Sequence, residues 1–490
     1  MKNTGNYFLH LVLGYLLFMQ LNLSAQQFIA LKQTRVELAG EKFFLVDGEI
    51  VVAEDRLKPL GRKIILPVRI YKGKAAQLKE PIFWLSGGPG FSNLVPPKSF
   101  AKSKAAVQLL TNHDVVCVGY RGVDGSVILH AKKTMKAFKS SKEPLLSDAS
   151  LDKLEQAVND LAYHLKEEGI DINRYSMLDV LDDVEEVRKS LNYPTINLLS
   201  ESYGTRLALL YSYRYPASLG RTVMIGPNPP GHFIWQPLKT EQILALYDSL
   251  YQQTDSVKFQ GSIRQAMSKA FAHMPKRWSW YRLDADRIRN STFGALFSRE
   301  LATSVFDAYF KAAERGDYTG LYFIQLMASR NTYEAIGDAF AKAYSADFDP
   351  RVDYRASLRD STTLLGGNVS LLLWGAAKGW RMDLLPEEYR RCRPSSSETL
   401  VISGNLDVST PSDFTTTELM PYLKQGIHVN LKHLSHADIF KKTFQTPDVL
   451  LNYFEQGKIN AEDFAKTDPL DFKPKLKYSK LKVFLFGLIL

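Results

Sequence analysis

Ser200-Glu201-Ser202-Tyr203-Gly204 lies between a short apolar run at 196–199 and a stretch of helical character at 205–213. A strand, a sharp turn and a helix in that order lift one serine hydroxyl above the edge of a sheet, an arrangement known as a nucleophile elbow. The backbone is pinched in such a turn, so the residues two before and two after the serine must be small. Gly204 meets that demand fully, and Ser200 is the next smallest choice. Alone the motif is a modest signal. Three companions elsewhere in the chain give it weight.

The first is upstream. Pro81-Ile82-Phe83-Trp84-Leu85 reads as a buried strand running into Ser86-Gly87-Gly88-Pro89-Gly90. A glycine-rich loop at a strand's end can turn backbone N–H groups toward an oxyanion with no side chain in the way. In the elbow scheme one N–H comes from the residue after the nucleophile and one from this earlier loop, here Tyr203 and Gly88. The second companion is Asp407, just past the apolar strand Leu400-Val401-Ile402-Ser403, where a carboxylate can hold a histidine in its reactive tautomer. Asp413 competes with it but lies further from the strand end. The third is His436, at loop distance from the strand-like run 427–431 and flanked by small residues. His433 is an alternative, and His428 alternates with apolar residues inside that run. The resulting order Ser, Asp, His is that of α/β-hydrolases, not of chymotrypsin-like or subtilisin-like proteases.

Strand and helix patterns alternate over residues 81–231, with helices expected around 151–168 and 178–191, which argues for a mostly parallel sheet covered by helices on both faces. The Pro/Gly cluster at 226–231 ends that pattern. Residues 232–385 read as largely helical; Phe306, Tyr309, Phe310 and Ala313 fall at i, i+3, i+4 and i+7. The expected organisation is a leader at 1–25, a hydrolase core at 26–231 and 386–465, an inserted helical cap at 232–385, and a basic and apolar tail at 466–490. Lys2, an apolar stretch over 8–23 and Leu23-Ser24-Ala25 have the form of a secretory signal, so the mature protein is expected to be secreted or periplasmic. The apolar run of the tail is too short to span a membrane and leaves peripheral membrane contact open.

Of the 490 residues 45% are hydrophobic and 23% charged, ordinary for a globular protein with a sizeable core. The net charge of +10 is mild for this length, and no motif points to nucleic acid. Cys117 sits in an apolar strand and Cys392 in a basic loop, which is no disulfide scaffold. Histidines, cysteines and carboxylates show no metal-ligand spacing. No metal and no cofactor is expected.

The residues quoted above, together with Gly61-Arg62-Lys63-Ile64-Ile65-Leu66-Pro67-Val68, Tyr120-Arg121-Gly122, Asp182-Asp183-Val184-Glu185-Glu186-Val187-Arg188 and Thr205-Arg206-Leu207-Ala208, resemble the proline-iminopeptidase and tripeptidyl-aminopeptidase group of α/β-hydrolase serine peptidases. The chain departs from that group at Ser86, where histidine is frequent, at Ser200, where glycine is usual, and in lacking most cap cysteines. The resemblance implies a serine exopeptidase acting on the N-termini of peptide substrates. Such an enzyme needs a carboxylate for the substrate's ammonium, and Glu241, Glu300, Asp307, Glu314 and Glu334 are available in the insertion. Glu201 recurs before the serine in the tripeptidyl group and reads as structural or as a support behind the site, with contact to substrate the lesser alternative. An esterase or amide hydrolase on the same scaffold is the alternative, followed by a binding protein without catalysis. Residue preference, the number of residues released and the oligomeric state are not encoded in these motifs.

Overall fold

A computed structural model describes residues 27–130, 143–254, 259, 261–330, 336–359, 362–476, 479 and 483. The expected leader at 1–25, most of the tail beyond 476, and Glu334 lie outside the described residues. The strands are β1 (Ile29–Leu38), β2 (Glu41–Ala53), β3 (Lys63–Tyr71), β4 (Ile82–Leu85), β5 (Val115–Val118), β6 (Ile196–Glu201), β7 (Leu219–Ile225), a small ribbon of β8 (Arg277–Trp278) and β9 (Tyr281–Arg282), then β10 (Ser395–Gly404) and β11 (Leu423–Leu431). All but the ribbon form one sheet in the order β1-β2-β3-β5-β4-β6-β7-β10-β11. From β5 to β11 every neighbouring pair is parallel. At the other end β1, β2, β3 and β5 pair antiparallel. The N-terminal region therefore forms three long strands.

Why the central strands are apolar throughout follows from their two faces. Phe83, Leu85, Val116, Val118, Leu198, Met224 and Val401 pack with helices Met177–Ser190 and Tyr203–Arg214. Their sequence neighbours Ile82, Trp84, Val115, Cys117, Leu199, Val223, Leu400 and Ile402 face the opposite layer, with helices Lys104–Asn112, His436–Gln445 and Pro447–Gln456. Successive side chains point to opposite faces, so a sheet covered on both sides needs an unbroken apolar run. Each such residue contributes about 1.5–3 kcal/mol by leaving water.

The helices between β7 and β10 divide into two packing groups. Helices from Pro237–Gln252 to Thr319–Arg330 surround a core rich in aromatic rings, which buries Phe306, Tyr309 and Phe310. Helices Ile336–Asp347, Tyr354–Leu358 and Asn368–Trp374 pack instead with helix Asp148–Glu167. That last helix was expected against the sheet; its buried face of Leu151, Leu154 and Val158 meets Tyr344 and Trp374 in the second group. Periodicity shows that a helix has an apolar face but not what the face covers. Part of the tail joins the first group: Leu470 and Phe472 are buried there, the Phe472 ring 5.1 Å from that of Tyr251.

Candidate active site

Strand β6 ends at Glu201, and Ser202 takes φ 50° and ψ −121° before helix Tyr203–Arg214 begins. A positive φ on a residue other than glycine costs on the order of 1–3 kcal/mol and persists only where its surroundings enforce it. Gly204 shows how tight those surroundings are, since a Cβ there would lie 2.0 Å from the carbonyl oxygen of Leu85. On the other side of the pinch, Ser200 fits because its hydroxyl turns to β7 and donates to the Val223 carbonyl at 2.7 Å. The serine in place of the usual glycine thus satisfies its own polar atom.

His436 opens helix His436–Gln445, five residues beyond β11. Its Nε2 lies 3.0 Å from Ser202 Oγ and its Nδ1 2.7 Å from Asp407 Oδ2. Asp407 is wholly buried after β10. Its Oδ1 accepts from the backbone N–H of Ser409 at 2.8 Å and of Thr410 at 2.9 Å. Thr410 Oγ1 donates to Oδ2 at 2.7 Å. The carboxylate is thereby held on the histidine. Asp413 is turned away and paired with Lys239. His428 lies within β11, 2.8 Å from Ser403 Oγ, and burial lowers its pKa. His433 sits in the turn after β11 at φ 59°.

The loop after β4 passes directly over the serine, so that a Cβ on Gly87 would lie 3.2 Å from Ser202 Cβ. Gly88 has φ 137° and Gly90 φ 91°, conformations that side chains resist. Asn93 braces this loop from below: its Oδ1 accepts from Ser86 N–H at 2.7 Å, and its Nδ2 donates to the carbonyls of Trp84 and Val118, both at 2.9 Å. Tyr203, whose N–H follows the serine, begins the helix, and its ring is buried against Tyr120 and Phe233. The site therefore brings together a serine hydroxyl, an imidazole able to take its proton, a carboxylate to steady that imidazole, and a glycine loop beside all three. This is the equipment for acyl transfer to water.

A family model for the alpha/beta hydrolase fold matches residues 80–414. The chain belongs to the α/β-hydrolase family. Within that family it is similar to the tripeptidyl aminopeptidases of Streptomyces coelicolor and Streptomyces lividans, each 27% identical over 207 residues, 40% of this chain and 38% of the relative. The chain thus matches well under half the length of these curated relatives. Among solved structures, proline iminopeptidase from Mycobacterium smegmatis aligns with 83% of this α/β hydrolase and 98% of itself, at 13% identity and a TM-score of 0.39.

Several neighbours of the site carry no motif of their own. Phe297, from the insertion, sets its ring edge-on to His436 at 5.3 Å, and its carbonyl accepts from Ala437 N–H at 2.7 Å and from Ser435 Oγ at 3.0 Å. Trp235 donates its indole N–H to the Ser409 carbonyl at 3.0 Å. Tyr309 and Phe310, singled out from sequence, lie inside the insertion's core, while Tyr281 is stacked on Tyr322 and Trp280 is exposed. Of the insertion's carboxylates, Glu241 is tied to Arg264 and Asp307 to Lys311, while Glu300 and Glu314 are exposed. Glu201 is the acid beside the serine. Burial pushes its pKa up to about 7, against the opposing pull of the Gly87 N–H at 3.5 Å and of His436.

Proposed function

We propose that this α/β hydrolase is an exported serine peptidase that releases residues from the N-termini of peptides through an acyl-enzyme. The hydrogen-bonded series Asp407–His436–Ser202, on an elbow beside a glycine loop, carries the reading. His436 Nε2 takes the proton of Ser202 as Oγ attacks the scissile carbonyl, and Asp407 stabilises the imidazolium so formed. The N–H groups of Tyr203 and Gly88 receive the oxyanion. His436 then returns the proton to the leaving amine, and a water activated by the same imidazole releases the acyl group. Similarity to tripeptidyl aminopeptidases over the matched residues supports peptides as the substrate class. The signal-like form of residues 1–25 supports export.

Fluorophosphonate labelling of wild type beside Ser202→Ala, followed by a panel of aminoacyl and tripeptidyl amides with free or acetylated amines, tests the proposal. Labelling should vanish in the variant, and turnover should require the free amine. Turnover of esters regardless of acetylation would move the reading to an esterase. A folded wild type that resists labelling would count against catalysis altogether.

A further inference from the structure

Asp338 and Lys342 occupy one face of helix Ile336–Asp347 in the insertion, both wholly buried and ion-paired to each other. Removing two charges from water is costly, and apolar residues of similar volume generally serve a core as well or better. The pair therefore needs a reason beyond packing, and its remaining bonds supply one. Asp338 Oδ2 accepts the backbone N–H of Gly90 at 3.1 Å, inside the glycine loop after β4. Lys342 Nζ donates to the Arg121 carbonyl at 2.9 Å, in the segment after the neighbouring strand β5. Those two segments also meet directly, where Tyr120 OH donates to the Ser86 carbonyl at 3.2 Å. Gly122 leaves the room, since a Cβ there would lie 2.7 Å from Asp338 Oδ1.

The far end of the same helix is equally fixed. Asp347 pairs with Arg206, on the helix that follows Ser202, at 3.0 Å, and both side chains are buried. Asp347 also accepts from Gly231 and Phe233 N–H, both at 3.0 Å. Helix Ile336–Asp347 is thus pinned at one end to the glycine loop and at the other to the nucleophile's helix. It has the anchorage of a brace, not of a lid.

We propose that Asp338 is a positioning residue for the oxyanion hole: by accepting the Gly90 N–H it fixes the orientation of the Ser86–Gly90 loop, and Lys342 holds the aspartate as an acceptor. This rests on the reading of Gly88 as an oxyanion donor given above. The Gly90 N–H can only donate and an ionised carboxylate can only accept, so the contact is lost if the peptide turns over and presents a carbonyl to the acid. Burial raises the Asp338 pKa, and Lys342 and the Gly90 N–H oppose that rise. Loops that carry oxyanion donors must hold them to a fraction of an ångström, because their contribution is made only at the transition state.

Two double variants separate the acceptor from the charge. D338N/K342M removes the buried ions but keeps a carbonyl oxygen for Gly90, while D338L/K342M removes the acceptor as well. Fluorophosphonate labelling should slow about 10- to 100-fold in D338L/K342M, with KM for the best amide substrate within about threefold of wild type and a cooperative melting transition retained. D338N/K342M should recover most of the labelling rate. Wild-type rates in D338L/K342M, or equal impairment of both variants, would overturn the proposal. Hydrogen exchange on the wild-type protein needs no variant to fold: the Gly90 amide should exchange as slowly as the interior amides of Ile336–Asp347. Fast exchange at Gly90 with a protected helix would also overturn it. Because exchange is read without turnover, a failure of the peptidase reading would leave that result standing on its own.

Discussion

The two halves of the insertion reach the site by different physical means. The first half touches the histidine side mainly through backbone, with the Phe297 carbonyl accepting from Ala437 N–H and Ser435 Oγ. The second half touches the glycine-loop side through a buried side chain, Asp338, whose charge is balanced within its own helix. A carbonyl anchor survives any substitution that leaves the chain path intact. A carboxylate anchor disappears with one residue. The same insertion should therefore be tolerant on one side of Ser202 and sensitive on the other.

The largest expected effect lies outside both halves and sets the scale for them. Asp407→Asn keeps the volume but offers an amide to Thr410 and His436, so the imidazole can be held in the wrong tautomer. The labelling rate should fall on the order of 10³- to 10⁴-fold, with the protein still folded. A loss below tenfold would show that Asp407 does not orient His436, and the comparison of the two sides would lose its reference.

Phe297→Ala comes next. The ring against His436 goes, but the carbonyl and its two bonds remain. The expected loss in labelling rate is less than about tenfold, smaller than that of the variant lacking the Asp338 acceptor. Truncating a half-buried phenylalanine should still lower stability by roughly 2–3 kcal/mol, readable from urea unfolding. A hundredfold loss in rate would mean that the ring, not the carbonyl, positions the histidine, and the contrast between the halves would collapse.

Legibility in the sequence followed the same division. The parallel strands were readable because burial on both faces leaves unbroken apolar runs such as Ile82-Phe83-Trp84-Leu85 and Val115-Val116-Cys117-Val118. Ser202, Asp407 and His436 could be singled out because each follows a strand end and their order is characteristic. The braces were not readable. Asp338 and Lys342, four apart on a helix, look like any solvated surface pair, and only the tertiary structure places them at zero exposure. Asn93 belongs to no motif, although it bonds three backbone groups. The helix Asp148–Glu167 was legible as a helix, but its partner, the second half of the insertion, lies some two hundred residues away. Thr410 was open to anticipation, since a hydroxyl three residues after an aspartate readily closes on it in a turn.

Glu201 offers the smallest effect on rate and the finest test of the environment shared by the two sides. Its side chain lies between the glycine loop, through Gly87 N–H, and the histidine. Burial raises its pKa from 4.5 to about 7. Between those pH values the folded protein keeps a proton that the unfolded chain gives up, so this group makes stability fall as pH rises through that window and adds no slope above it. Over the whole window the loss is of the order of a few kcal/mol. Glu201→Gln cannot titrate, so this contribution should disappear. Wild type and variant should be close in urea stability at pH 4.5 and should separate by pH 8, with the glutamine form the more stable. Labelling at pH 8 should stay within about threefold, because the glutamine still has an oxygen for Gly87 N–H. A stability difference that does not change with pH would mean that Glu201 is solvated in the folded protein, and that water, not protein, fills the space between loop and histidine.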